Sequence, residues 1–196
     1  MIKLSDNTVG SLIQKQKSLI IGTILGDGYL RIIPKRKNAF LEINHSAAQK
    51  DYVDWKYEIL RSIVKSEPKL RNGNGNRIAY RFYTRCLPEI TFLFARFYKN
   101  GKKIIPNDLS IDKFGLAVWF MDDGSNSGGS LYLNTQQFSE NDQIKLQSVL
   151  LNQYNIRSNL NKDKNYKRIR IIKEDAPKFC NLIRHYIPKS MEYKLV

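Results

Sequence analysis

The sequence predicts an α+β fold of two pseudo-symmetric halves, each with the element order αββαββα. Three observations favour it: the order of helical and strand patterns repeats, each half opens on a helix that is apolar on nearly all sides, and each of these helices ends in Asp-Gly. A helix without a polar face must be buried, so we expect the two helices to pair at the centre of the molecule. We place the halves at residues 1–100 and 101–196.

Local signals set the limits of the elements in the first half. A capping box at Ser11 opens a helix that ends at Gly26. The Asn- and Gly-rich segment 72–76 is a turn between strands, Pro88 favours a helix start, and Gly101 stands just beyond that helix. These signals predict helices over 11–26, 48–65 and 88–100, and strands near 29–35, 39–45, 67–72 and 77–85. The apolar stripe of the 48–65 helix consists of Tyr52, Trp55, Ile59 and Ile63.

The same order begins again after a linker near 100–110. Gly124 ends the second apolar helix and precedes a short strand, and Ser139 caps the next helix. An internal duplication of this kind forms a pseudo-dimer with two four-stranded sheets side by side. The second half therefore has predicted helices over 112–122, 139–154 and 175–186, and strands near 130–136, 156–162 and 166–173.

Composition limits the class of protein. The 196 residues are 42% hydrophobic, which is enough for a buried core. Cys86 and Cys180 lie far apart and only two histidines are present, which argues against a disulfide framework and a zinc site. The longest apolar run, 19–25, is too short to span a bilayer, so no membrane partner is expected. We expect an intracellular protein, and high Asn, Lys and Ile usage favours an AT-rich organelle genome, in a mitochondrion or chloroplast.

The net charge points to a polyanionic partner. Lys and Arg number 33 against 18 Asp and Glu, which gives a formal charge of +15. Such a surface repels itself, and nucleic acid is the simplest compensation, although a merely lysine-rich soluble protein would show the same sum.

Strand alternation sharpens the choice of partner. Over 77–85 it places the arginines and Tyr83 on one face, and Arg31 and Lys35 likewise stand opposite Leu30 and Ile32. Basic antiparallel strands suit a duplex groove, so we predict a β-saddle for DNA. The candidate DNA-contacting residues are Arg31, Lys35, Glu42, Asn44, Arg77, Arg81, Tyr83, Arg85, Lys162, Arg168 and Arg170.

The two apolar helices carry carboxylates at an unusual place. Asp27 and Asp123 each lie in the last turn before a glycine, where the helix dipole disfavours a negative charge by about 0.3–1 kcal/mol. Asp-Gly is common turn chemistry, but two copies in matching contexts favour a function. If the helices pair, the carboxylates converge and repel unless a cation lies between them. Mg²⁺ prefers such oxygen ligands, and a bound water could attack a phosphodiester.

The motifs Ile20-Ile-Gly-Thr-Ile-Leu-Gly-Asp-Gly28 and Leu116-Ala-Val-Trp-Phe-Met-Asp-Asp-Gly124 resemble those of the LAGLIDADG homing endonucleases in their single-chain, two-motif form. The resemblance extends from about Leu12 to Leu195, and the second half is particularly similar to members encoded by yeast mitochondrial introns. It implies that Asp27 and Asp123 bind Mg²⁺ or Mn²⁺, with the carbonyls of Gly26 and Asp122 completing the coordination.

The resemblance also assigns residues around the acids. Lys103 and Lys194 match lysines that stabilise the transition state. Gln136 matches a glutamine that orients water, and the first half has His45 in its place, which could equally be a satisfied histidine at the edge of the core. A second departure is Val118 where the first motif has Gly22, which indicates asymmetric packing between the helices.

The implied activity is site-specific, metal-dependent cleavage of double-stranded DNA by an intron-encoded monomer with a long non-palindromic target. Two alternatives use the same fold. An RNA maturase would bind its intron RNA and could retain both acids. A non-cleaving DNA-binding regulator would be expected to lose an acid, and both are present here.

Overall fold

The computed structural model describes residues 12–73 and 75–195. The predicted cap at Ser11 lies outside these residues, as does Asn74 in the predicted turn. The helices are α1 (Gln14–Leu25), α2 (Lys50–Leu60), α3 (Pro88–Phe97), α4 (Lys113–Asp123), α5 (Glu140–Tyr154) and α6 (Ala176–Ile183). The strands are β1 (Tyr29–Ile32), β2 (Ala39–Ser46), β3 (Lys69–Asn72), β4 (Ile78–Tyr83), β5 (Tyr98–Lys99), β6 (Lys102–Lys103), β7 (Gly124–Ser127), β8 (Ser130–Leu133), β9 (Ser158–Asp163) and β10 (Tyr166–Ile171).

The element order confirms the predicted α+β class and the repeated αββαββα pattern. Two antiparallel four-stranded sheets form, with strand orders β1-β2-β4-β3 and β7-β8-β10-β9. The helices α2 and α3 pack on the first sheet, and α5 packs on the second. No helix within the described residues is long and apolar enough to span a bilayer.

The linker contains an element that the sequence did not suggest. The strands β5 and β6 pair as a small hairpin, with Tyr98 opposite Lys103. Asn100 and Gly101 form its turn, both with positive φ, so the predicted boundary at residue 100 falls inside this hairpin. The division into two domains remains a prediction.

The helices α1 and α4 pack against each other through the centre of the core. A Cβ built on Gly22 would lie 2.3 Å from the carbonyl oxygen of Gly115 and 2.8 Å from Cβ of Val118, so the two backbones are in direct contact. Nearer the N-terminal ends of both helices, Ser18 Oγ donates to Asp112 Oδ2 at 2.5 Å. The valine of one helix fills the space left by the glycine of the other, which is the asymmetry indicated by the sequence.

Candidate functional site

One face of the first sheet carries the polar side chains. Cross-strand pairing places Asn44 opposite Arg81 and Glu42 opposite Tyr83. Glu42 lies between two guanidinium groups, 3.4 Å from Arg31 and 3.9 Å from Arg81. The structure therefore brings these five residues together on the surface that faces away from α2 and α3.

The second sheet presents a similar face. Arg170 pairs with Tyr132, and Arg168 stacks over the Tyr132 ring with its guanidinium carbon 4.0 Å from the centroid. Arg168 also donates to Asn134 Oδ1 at 3.2 Å, and Arg170 donates to Ser130 Oγ at 3.1 Å. Both arginines are held by neighbours on the same sheet, so their orientation is set before any ligand arrives.

Four of the predicted DNA-contacting residues do not share these faces by strand alternation. Lys35 lies in the turn after β1 with a φ of 70°, Arg77 precedes β4, and Arg85 follows β4. These strands are shorter than predicted, and alternation ends where the ladder ends. Lys162 pairs with Lys167, whereas Arg168 pairs with the adjacent Asn161, so Lys162 is on the opposite face of its strand.

The acidic ends of α1 and α4 meet in one cavity. Asp27 and Asp123 line an open space of about 1180 Å³ together with Lys103. The helices touch here, because a Cβ on Gly26 would lie only 2.3 Å from Cβ of Asp122. The predicted convergence of the two carboxylates is therefore present in the structure.

The cavity raises the proton affinity of both carboxylates. Burial, with the nearby charges of Asp27 and Asp122, raises the pKa of Asp123 to about 8. Burial and then Asp122 also raise the pKa of Asp27 above its usual 3.8. Two neighbouring carboxylates repel each other when both are ionised, so they retain protons in the absence of a cation. A bound cation would take the place of those protons.

The two predicted lysines lie at the main-chain oxygens beside the acids. Lys103 Nζ donates to the carbonyl of Gly26 at 2.8 Å, and Lys194 Nζ donates to that of Asp122 at 3.0 Å. Burial lowers the pKa of Lys103 to about 8 and also lowers the pKa of Lys194. Each half thus places one ammonium group at the end of a central helix.

The oxygen atoms at this place suit a hard divalent cation. Two carboxylates and two helix-end carbonyls are ligands that Mg²⁺ accepts, with water for the remaining positions. The described residues contain no group of three or more His, Cys, Asp or Glu side chains that would form a complete set by themselves. The side chain of Asp122 is ion-paired to Lys56, so the main-chain carbonyl is the part of Asp122 that could bind a cation.

Gln136 and Gln137 both line the cavity of the two acids, and it is Gln137 that contacts one of these acids directly. Gln137 Nε2 donates to Asp123 Oδ2 at 3.1 Å and to the Gly26 carbonyl at 3.2 Å, while Gln136 donates to Asp163 at 2.7 Å. The reason is that β8 ends at Leu133 and a turn follows, in which Phe138 N donates to the Thr135 carbonyl.

Sheet register also shows that His45 and Gln136 are not equivalent positions. Tyr29 pairs with Glu42 in the first half, and the corresponding Ser125 pairs with Tyr132 in the second. The equivalent residues are therefore Glu42 and Tyr132. Three residues after them come His45 and Thr135, so the position equivalent to His45 is Thr135 and not Gln136.

His45 is both buried and close to an acid. Its exposed fraction is 4%, and its Nδ1 lies 3.7 Å from Asp27 Oδ2. Burial, and then the charge of Lys56, lowers the pKa of His45 to about 4. The two interpretations of this histidine, a core-edge residue and a member of the site, are therefore compatible.

A buried ion pair that was not predicted from the sequence lies close to both acids. Lys56 and Asp122 have fully buried side chains, and Lys56 Nζ donates to both Asp122 oxygens at 2.7 and 2.9 Å. Tyr52 Oη donates to Asp122 Oδ1 at 2.8 Å. One signal was available, because Tyr52, Lys56 and Leu60 are spaced by four on the buried stripe of α2.

Comparison with known proteins places these features in a family. The profile of the LAGLIDADG DNA endonuclease family matches residues 17–179. A probable intron-encoded endonuclease 1 of Wickerhamomyces canadensis is 32% identical over 92% of this chain and 84% of its own length. A cytochrome b mRNA maturase bI2 of Debaryomyces hansenii is 26% identical over 99% of this chain and 79% of its own length.

A solved structure is similar over nearly its whole length. The homing endonuclease I-WcaI bound to its DNA recognition sequence superposes with a TM-score of 0.88 and 30% identity, covering 100% of this chain and 96% of that one.

Proposed function

Because the chain belongs to the LAGLIDADG DNA endonuclease family, we propose that it cleaves double-stranded DNA at a specific site, as a homing endonuclease. The observation that carries the proposal is the meeting of Asp27 and Asp123 in one cavity between two sheets with arginine-bearing faces. The similarity to a homing endonuclease bound to its recognition sequence supports duplex DNA as the ligand.

We propose that Asp27, Asp123 and the carbonyls of Gly26 and Asp122 hold Mg²⁺ or Mn²⁺. Such a cation, when bound, supplies Lewis-acid stabilisation of the phosphodiester and an activated water. Lys103 and Lys194 place positive charge where the phosphate becomes more negative in the transition state. Gln137 holds the Asp123 carboxylate in a fixed orientation through its hydrogen bond.

The two halves differ, so we propose a target without a palindrome. The first sheet presents Glu42 between two arginines, whereas the second presents Arg168 and Arg170 beside Tyr132 and Asn134. A symmetric target would present the same bases to unlike side chains. Because both acids belong to one chain, we propose that a monomer of two halves, 1–100 and 101–196, is sufficient for cleavage. We also propose that the protein acts in an organelle.

The alternative function is that of an intron RNA maturase, and the 26% identity to a cytochrome b mRNA maturase favours it as the second candidate. The two activities separate by experiment. Tight binding of structured intron RNA, without cleavage of any duplex, would support the maturase over the endonuclease.

The proposed function is tested with a library of randomised DNA duplexes. The protein is incubated with the library with Mg²⁺ or with a chelator, and the cut ends are sequenced. We expect one enriched site of roughly 12–20 base pairs, cut on both strands only when Mg²⁺ is present. Cutting at random sites, or equal cutting with the chelator, would contradict the proposal.

Substitution of the outward arginines tests the DNA interface. We expect Arg81→Gln or Arg170→Gln to weaken binding by about 1–3 kcal/mol if the guanidinium reads a guanine, with relaxed preference at that position. If it meets a phosphate, the slope of log K against log salt falls by about one. Lys162→Gln is the matched control, because register puts Lys162 on the opposite face. Equal effects of all three substitutions would show that register does not define the interface.

The pKa of Asp123 predicts how pH affects the metal site. Below about pH 8 the carboxyl of the metal-free protein holds a proton that the cation must displace. We therefore expect the apparent Mg²⁺ affinity to fall as pH decreases from 8 to 6, by up to about tenfold per unit. Calorimetry in buffers of different ionisation enthalpy measures both the affinity and the released proton. Asp123→Asn should remove that proton, and a flat affinity for the unmodified protein would contradict the assignment.

A further inference from the structure

The environment of His45 is set by Lys56. The Lys56 ammonium has three hydrogens and no lone pair, so it can only donate. Two of its donations go to the carboxylate of Asp122, at 2.7 and 2.9 Å, and His45 Nε2 lies 3.5 Å from Nζ. The nitrogen that faces an ammonium must be the one with the free lone pair.

The other ring nitrogen then carries the hydrogen. His45 Nδ1 lies 3.7 Å from Asp27 Oδ2, whereas Nε2 lies 3.9 Å from Asp122 Oδ1, an oxygen that already accepts hydrogen bonds from Tyr52 and Lys56. A hydrogen on Nδ1 lies on the side of a carboxylate, which is an acceptor. The alternative tautomer would turn an Nε2–H toward the Lys56 ammonium and the Nδ1 lone pair toward the Asp27 carboxylate, so that like would face like at both nitrogens. Tyr52 keeps the geometry fixed, since it donates to Asp122 and its ring packs against His45 with centroids 5.4 Å apart.

We infer that Lys56 is a positioning residue for DNA cleavage: it fixes His45 as the Nδ1–H tautomer and so directs an N–H toward Asp27. This inference rests on the proposed endonuclease function. The Lys56 side chain is fully buried, and its ammonium contacts Asp122, His45 and the ring of Tyr52.

The arrangement belongs to one half of the molecule. The position that corresponds to Asp122 in the first motif is Gly26, which has no side chain, and the position that corresponds to His45 is the buried Thr135. Asp123 instead receives a hydrogen bond from Gln137. The two carboxylates therefore have different partners, and the two DNA strands should be cut at different rates.

The test uses two readouts on the full chain. Nitrogen-15 NMR of the histidine rings, in the metal-free protein without DNA, identifies the tautomer, with the exposed His185 as an internal reference. Strand-specific nicking of a plasmid that carries the library-selected site gives the ratio of the two strand rates with Mg²⁺. Lys56→Met removes the donor, and Lys56→Met with Asp122→Asn also removes the carboxylate that would be left unpaired in the core.

We expect an Nδ1–H signal from His45 in the unmodified protein, its loss in both variants, and a change of about tenfold in the ratio of strand rates. Ser18→Ala, which breaks a contact between α1 and α4 at their far end, should leave both readouts unchanged. An Nε2–H signal in the unmodified protein, or equal slowing of both strands in the double variant, would overturn the inference. Absence of any cleavage by the unmodified protein would overturn the proposed function and leave the tautomer assignment standing.

Discussion

We expect Asp27→Asn and Asp123→Asn each to lower the rate of DNA cleavage by at least about a thousandfold, while the DNA affinity stays within about threefold of that of the unmodified protein. Asparagine keeps the size of the side chain but loses the charge that would hold the cation, and a thousandfold is about 4 kcal/mol of transition-state stabilisation. Binding persists because the arginine-bearing sheets are unchanged. Cleavage is measured on the selected duplex with Mg²⁺, and affinity is measured by titration of the same duplex without divalent metal.

A stability measurement separates lost chemistry from lost fold. The raised pKa of Asp123 means that its charged form opposes folding, so this cost appears as the pH rises from about 4 to about 8. We expect Asp123→Asn without metal at pH 8 to melt at or above the temperature of the unmodified protein. Normal cutting of both strands by either variant would show that the site is misplaced.

Gly22→Ala has the second large expected effect, a loss of roughly 2–3 kcal/mol in the free energy of unfolding. The new methyl group would lie 2.3 Å from a backbone carbonyl oxygen of α4, which cannot move unless the helices separate. The better helix propensity of alanine, about 1 kcal/mol, offsets only part of this cost. Urea denaturation measures the change.

Gln14→Ala is the control for this prediction. It introduces alanine at an exposed position of the same helix and should change the unfolding free energy by less than about 0.5 kcal/mol. If Gly22→Ala were as stable as this control, α1 and α4 could not be in backbone contact.

The central helices and their acids were predictable because their signal is local and strong. A helix that is apolar on all sides must be buried. Asp27 lies two residues after the end of α1, and Asp123 is the last residue of α4. Since both helices must be buried together, the meeting of their ends followed from sequence. The order of the elements was predictable for a similar reason, because glycines, prolines and caps mark most of the boundaries.

Positions that depend on register were not predictable. Gln137 lies at Asp123 because β8 ends at Leu133 and a turn shifts the chain by one residue. The placement of Lys162 depends on its pairing with Lys167 across a hairpin. A strand alternates with a period of two, so an error of one residue moves a side chain to the other face.

The buried lysine was hidden by composition. Lys56 is one of many lysines in a basic chain, and lysines are usually exposed. The apolar stripe predicted from Tyr52, Trp55 and Ile59 does not include it. Its burial depends on a partner, Asp122, which lies 66 residues away in the sequence and on the central helix of the other half. The spacing of Tyr52, Lys56 and Leu60 by four indicates a buried lysine, but no local pattern identifies its distant partner.

The asymmetric interface between α1 and α4 restricts how this protein could be re-engineered. At two successive turns one helix has a glycine where the other has a side chain: Gly22 against Val118, and Gly26 against Asp122. Two copies of the first half would face each other with gaps, and two copies of the second would collide. The contact surfaces of α1 and α4 are therefore complementary to each other but not to themselves. A homodimeric enzyme built from either half would need new residues at both of these helical turns.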